Sequence, residues 1–283
     1  MKKYLIINAD DFGLHSGINK GIQLMFEKKI VRSASFITNT DLFEDSLNII
    51  RQFPDVSVGV HLNLTDGGPI SSGCSSGLLL NKEGNFLGDH LQVLRSVFLH
   101  FLKLEDLIRV EFECQIKRLL AKNIKISHLD SHGHIHIFPP LFKIILKAAC
   151  KFKIPFVRIS AEPIFFQGRV PRWDIVSLNI LSWRAKLNLR GKNVRYTDYF
   201  FGLRYAGKFT KDTMTQLIKQ LKPGVAEIAV HLGCDNQNIS KQFKWGYSWS
   251  DELKALEDND IMKTIKLMDV NLINFNDILK NTA

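Results

Sequence analysis

Cysteine is scarce and scattered in this chain. Its four residues, Cys74, Cys114, Cys150 and Cys234, form no CxxC pair, so neither a zinc ribbon nor a disulfide framework is suggested, and each reads as a buried or partly buried thiol. No stretch is rich enough in Pro, Gly or Ser to serve as a linker, and no internal repeat is present. The 283 residues are therefore expected to form one domain, 1–283, large enough to bury a full core. The apolar runs fall far short of a membrane span, and the run after Lys2 and Lys3 is interrupted by Asn8, Asp10 and Asp11, unlike a signal peptide. Those absences make a cytoplasmic location the expectation. No nucleic-acid module is recognisable, so no nucleic-acid partner is expected.

What is present is an ordinary globular composition, 45% hydrophobic and 23% charged, with a net charge of +10. Basic residues thicken between Lys143 and Lys211 and include Arg169, Arg172, Arg184, Lys186, Arg190, Lys192, Arg195 and Arg204. They read either as a solvated face or as an electropositive surface for an acidic glycan, a phosphate-bearing substrate or nucleic acid, a basic face that could also set the protein at a membrane surface.

The stretch Lys3–Gly13, KYLIINADDFG, organises the rest. Tyr4–Ile7 is a short apolar run that reads as a buried strand, and it empties into two adjacent acids, Asp10 and Asp11. Acids at the carboxyl end of such a strand sit where parallel α/β folds build their sites. Neighbouring strand residues point to opposite faces, so the two acids are expected to take different jobs. An acid here could also cap the helix that follows, but one would suffice for that.

Further along, helices are expected at Ser16–Lys29, Asp41–Phe53, Leu104–Lys122, Pro139–Phe152, Lys211–Leu221 and Ser250–Met268. Strands are expected at Val31–Thr38, Val56–Leu64, Ile124–Leu129, Ile154–Ser160, Val225–His231 and Val270–Phe275. This alternation marks a parallel sheet wrapped by helices. Residues 66–90 read as a mobile loop or small lid, and Ala161–Thr210 as an irregular insertion over the barrel mouth. Within that tract, Trp173, Trp183, Tyr196 and Tyr199 belong to an aromatic stretch, Phe165–Phe201, that could stack on sugar rings or simply pack.

Three strands end near histidine: His61 in GVHLNLT, His132 in SHLDSHGHIHIFP and His231 in EIAVHLGCD. In a parallel barrel these ends converge on the mouth beside Asp10 and Asp11. An Asp and two imidazoles make three ligands with open positions, the donor set of a catalytic metal site, suited to zinc and also to Mn, Fe, Co or Mg. In an extended segment His128, Asp130, His132, His134 and His136 would share a face. They cannot all bind one ion, so Asp130 or His128 is expected to hold a ligand imidazole from behind. His134 and His136 read equally as buried or capping residues.

NADDFG, GVHLNLT, HLDSHGHIH followed by FP, VRIS, DYFFG and EIAVHLG together resemble the YdjC-like carbohydrate deacetylases, the chitooligosaccharide deacetylase family, over essentially the whole chain. The resemblance implies an α/β fold, a distorted or incomplete (β/α) TIM-like barrel of parallel strands. It implies Asp11, His61 and His132 as ligands of one divalent metal ion, zinc or magnesium first and manganese or cobalt next. It also implies Asp10 as general base and His231 as general acid, with His128, Asp130, Arg158 and His134 behind the ligands or on the substrate. The family's usual His-Pro is His231-Leu232 here, and His15 stands where a small residue is common. The implied activity is hydrolysis of an N-acetyl group from an amino sugar or oligosaccharide, acidic or lipid-linked if the charge is used, with a homodimer left open. A phosphoesterase on an anionic glycan and a non-catalytic glycan binder are the alternative readings.

Overall fold

The computed structural model describes residues 2–73, 76–164 and 172–280; Cys74, Arg169 and the start of the aromatic stretch at Phe165 lie outside the described residues. Among the described residues there are eight strands: β1 (Lys3–Phe12), β2 (Ser33–Phe36), β3 (Ser57–Leu62), β4 (Ile126–Ser131), β5 (Phe156–Val157), β6 (Tyr199–Phe201), β7 (Gly224–Val230) and β8 (Val270–Leu272). All pair in parallel, in the order β5-β4-β3-β2-β1-β7-β6, with β8 on the first residues of β1. Among the described residues the two ends of this curled sheet meet at an isolated bridge between Phe156 and Arg195. There Val157 N donates to Arg195 O at 2.9 Å and Arg195 N to Pro155 O at 2.8 Å. The result is an incomplete TIM-like barrel.

Alternation along the strands separates two environments. From β1, Leu5, Ile7 and Ala9 point outward into the main core beneath the helices. Ile6 instead joins Phe156 and Phe275 in a small cluster that floors the lumen, each ring or branched chain contributing roughly 1.5–3 kcal/mol by burial. Above that floor lie small polar residues. Ser33 Oγ donates to Asn8 Oδ1 at 2.6 Å, Ser57 Oγ to Ser33 Oγ at 2.9 Å, and Asn8 Nδ2 to Ser35 Oγ at 2.8 Å. His128 stacks on Phe275 with ring centroids 4.1 Å apart, and a Cβ at Gly59 would collide with its ring.

The helices are α1 (Ser16–Glu27), α2 (Phe43–Gln52), α3 (His90–Leu120), α4 (Pro139–Lys151), α5 (Trp173–Leu189), α6 (Lys211–Lys219), α7 (Asn236–Gln242), α8 (Trp249–Glu257), α9 (Asn259–Leu267) and α10 (Phe275–Lys280). Their starts follow local chemistry. His15 caps α1, its Nδ1 accepting from Gly17 N at 3.0 Å, so neither Asp10 nor Asp11 is spent on a cap. A proline pair opens α4, and Thr210 with Thr213 forms a capping box on α6.

Four expectations change. The helix expected at Leu104 begins at His90, capped by Asp89 and kinked at His100. The expected single helix Ser250–Met268 is two, because Asp258 leaves helical geometry and caps α9 by accepting from Asp260 N at 2.9 Å. The tract read as irregular holds the 17-residue helix α5 and strand β6 of the barrel itself. The chain after Leu272 is not strand: Phe275 starts α10, which plugs the lumen floor.

Candidate functional site

Asp10 and Asp11 both reach one cavity because β1 does not stay regular to its end. The β1–β2 register shifts between Ala9 and Phe12, and Asp11 adopts φ 64°, a left-handed conformation that Asp tolerates better than most residues. Strict alternation would have sent one acid outward; the irregularity turns it in.

Asp11 Oδ1 lies 2.7 Å from His132 Nδ1 and 3.4 Å from His61 Nε2. Its Oδ2 is buried without a hydrogen-bond partner. Donor atoms of Asp11, His61 and His132 fall within 4.8 Å of one another. A lone buried carboxylate oxygen beside two imidazoles is a donor set that fits a divalent cation. Burial opposes ionisation of Asp11, but His132 and His61 outweigh it and hold the carboxyl well below its usual range. Burial likewise opposes a charge on His61, yet Asp130 and Asp11 bring it up to about 10. His132 is raised as well, against burial, by Asp11.

Behind His61, Asp130 Oδ1 accepts from Nδ1 at 2.8 Å and so turns Nε2 toward Asp11. Asp130 Oδ2 also accepts from Ser35 Oγ at 2.7 Å and from Arg158 at 2.7 Å. Arg158 is fully buried. Its guanidinium grips both oxygens of Asp10, at 2.7 and 2.8 Å, and reaches Glu227 Oε1 at 2.7 Å. One cation thus serves three carboxylates, and Asn8 Nδ2 adds a bond of 2.7 Å to Asp10 Oδ1. Burial, opposed by Arg158 and reinforced by Asp130 and Asp10, lifts Glu227 to about 7.

His231 follows β7 and faces the same cavity, its ring 4.9 Å from that of Tyr247. Its backbone N donates to Glu252 Oε2 at 2.6 Å, a tether that holds this loop where the family's proline is missing. Burial lowers the pKa of His231 although Asp11 and Asp10 oppose it, and its Nδ1 is buried without a partner.

The extended face expected for His128 to His136 does not exist. β4 ends at Ser131, and Gly133 and His134 take φ of 61° and 54° within a 3-10 turn, His132–Ile137. His134 lines the cavity and meets Ser160 Oγ at 3.0 Å; burial and Arg158 keep its pKa well down. His136 is a structural residue, donating from Nε2 to Arg158 O at 3.1 Å, with burial holding it at about 3. His128 is sealed in the lumen, held at about 4 by burial although Asp130 opposes it, and is bridged to Asp130 by Ser35.

The cavity has a volume of about 270 Å³, with His90, Trp245 and Tyr247 completing its walls. Trp245 lies 4.8 Å from His132. Of the aromatics expected to stack on sugar, Trp173 and Trp183 instead stand in solvent outside it. Sequence reasoning missed Trp245 and Tyr247, whose signal was the alternating FKWGYSW, and Glu227, an acid inside an apolar strand. It also read Asp66 only as part of a turn, though its Oδ2 lies 3.6 Å from His132 Nε2.

A family model described as YdjC-like protein matches residues 4–267. A carbohydrate deacetylase of Thermoanaerobacter pseudethanolicus is 27% identical over 280 residues, covering 98% of this chain and 100% of that protein. A chitooligosaccharide deacetylase of Salmonella paratyphi B is 32% identical over 172 residues, 60% of this chain and 65% of that one. A crystal structure of an Enterococcus faecalis protein named for cellobiose-phosphate cleavage superposes with a TM-score of 0.76 at 23% identity, covering 98% and 99% of the two chains.

Proposed function

The chain belongs to the YdjC-like protein family, and on that premise we propose that it is a metal-dependent hydrolase that removes N-acetyl groups from an amino sugar or oligosaccharide. The observation that carries the reading is the pairing of Asp11, His61 and His132 around an unpartnered buried oxygen with an adjacent acid, Asp10, that takes no part in that group.

Asp11, His61 and His132 would hold one divalent ion, zinc or magnesium before manganese or cobalt, which would supply Lewis acidity for the acetyl carbonyl and for a water. Asp10 takes the proton of the attacking water, and the Arg158 fork and Asn8 fix the direction of its carboxylate. Fixing that geometry in advance is where much of the rate comes from. His231 passes a proton to the leaving nitrogen as the C–N bond breaks, giving acetate and a free amine. The ring carries that proton before the step: its unpartnered Nδ1 leaves room to take one up, Asp10 and Asp11 favour the imidazolium against burial, and the ring is neutral again once the proton has gone to the amine. Trp245 and Tyr247 offer faces for the sugar ring and help to exclude water.

A phosphoester substrate fits less well. Among the described residues the cavity walls carry no Lys or Arg, and the nearby guanidinium of Arg158 is already engaged by three carboxylates. Acetate release should be measured from N,N′-diacetylchitobiose, single N-acetylhexosamines and acidic or lipid-linked glycans. Release that stops with chelator and returns with added metal is expected. Metal-loaded protein that releases no acetate from any of them would sink the proposal.

A further inference from the structure

Two rows of large apolar side chains stand in solvent on helices that touch the His132–Ile137 turn. On α3, Leu91, Phe98 and Leu99 recur at helical spacing before the kink at His100, and Leu102, 92% exposed, follows just after it. On α5, Trp173, Ile180, Trp183 and Leu187 do the same, with Trp173 86% exposed. Both helices also pack on α4. Isolated exposed hydrophobics are normal, but rows of this extent mark a surface that something covers.

Charge identifies the cover. Residues 90–103 contain no Asp or Glu, and Arg95 and Lys103 are exposed among the apolar positions. Residues 173–192 contain one acid, Asp174, and it is tied to Arg172 by a contact of 2.5 Å. Arg184, Lys186, Arg190 and Lys192 have no ion-pair partner among the described residues. A second copy meeting this face symmetrically would set these cations against their own kind. An anionic bilayer suits both features: Trp, Phe and Leu enter the headgroup boundary, and Arg and Lys lie on its phosphates. No helix among the described residues is long and apolar enough to cross a membrane, so the attachment is peripheral.

We propose that the α3–α5 face seats this protein on an anionic lipid surface, with the cavity beside the His132–Ile137 turn held at headgroup level. The full chain should co-sediment with phosphatidylglycerol–phosphatidylcholine vesicles, far less with pure phosphatidylcholine, and less as salt rises. The exposed-site variant Leu102→Ser/Trp183→Ser should bind about tenfold more weakly and Arg184→Gln about fivefold more weakly, with unchanged melting temperatures. Equal binding to neutral and anionic vesicles, or no loss in either variant, would overturn the proposal. So would a concentration-dependent dimer in sedimentation velocity that Trp183→Ser abolishes, because the face would then belong to a second copy. None of these readouts uses deacetylase activity, so the docking surface and the proposed reaction fail independently.

Discussion

Replacing Arg158 with Met would leave Asp10, Asp130 and Glu227 facing one another in the lumen without their shared cation. The wild-type guanidinium contacts them at 2.7 Å to each of Asp10, Asp130 and Glu227. Removing one partner of a buried ion pair costs about 3–5 kcal/mol, because the remaining charge stays desolvated. The cost depends on pH. Burial already raises Glu227 to about 7, and losing Arg158 raises it further. An acid whose folded pKa exceeds its unfolded value of about 4.3 loses stability as pH climbs from that value through the folded one. The deficit of Arg158→Met should therefore be smaller near pH 5, where Glu227 is protonated in both proteins and only the lost contacts to Asp10 and Asp130 count, and should widen as pH rises above about 7 toward 8 and beyond. Urea denaturation at both values reads it directly, and a melting temperature lower by roughly 10 °C should accompany it at the higher pH. Adding Glu227→Gln should restore about 1–2 kcal/mol at high pH, the coupling expected of groups in contact. A deficit below about 1 kcal/mol, or one that does not widen with pH, would refute the shared-cation account.

Other consequences can be checked separately. Gly59→Ala should lose about 1–3 kcal/mol, seen as a lower thermal midpoint, because its Cβ meets the His128 ring, whereas Gly73→Ala, surrounded by open space, should melt as the wild type does. His128 and His136 are held by burial at about 4 and about 3, below their unfolded value. The stability each contributes when neutral is therefore lost as pH falls from about 6.5, about 3 kcal/mol apiece by pH 4; His136→Gln should flatten that slope in acid denaturation. Trp245→Ala should raise KM about tenfold with a smaller change in kcat if its face binds sugar, and equal falls in kcat and kcat/KM would assign it to the chemistry instead.

The parallel barrel was legible because its strands are short apolar runs with helical spacing between them. The candidate site residues could be named because they sit where those runs end. What the sequence could not show follows from geometry that pattern does not encode. Asp11 joins Asp10 through a left-handed residue and a register shift, which alternation alone would forbid. α5 stayed hidden because Trp173, Ile180 and Trp183 face solvent while Ile175, Ala185 and Leu189 face the core, so no single side dominates. The same masking hid the first turns of α3. The Arg158 cage was partly visible, since Arg158 could be named, but only the fold reveals that Asp10, Asp130 and Glu227 converge on it from three strands.

The central claim is a division of labour between adjacent acids, Asp11 on the ion and Asp10 on the water. It is tested by measuring bound metal and acetate release side by side for wild type, Asp10→Asn and Asp11→Asn. The account predicts that Asp10→Asn keeps its metal and loses about 100- to 10,000-fold in kcat, while Asp11→Asn loses metal and activity together. An Asp10→Asn protein that sheds its metal, or one that turns over at the wild-type rate, would contradict it.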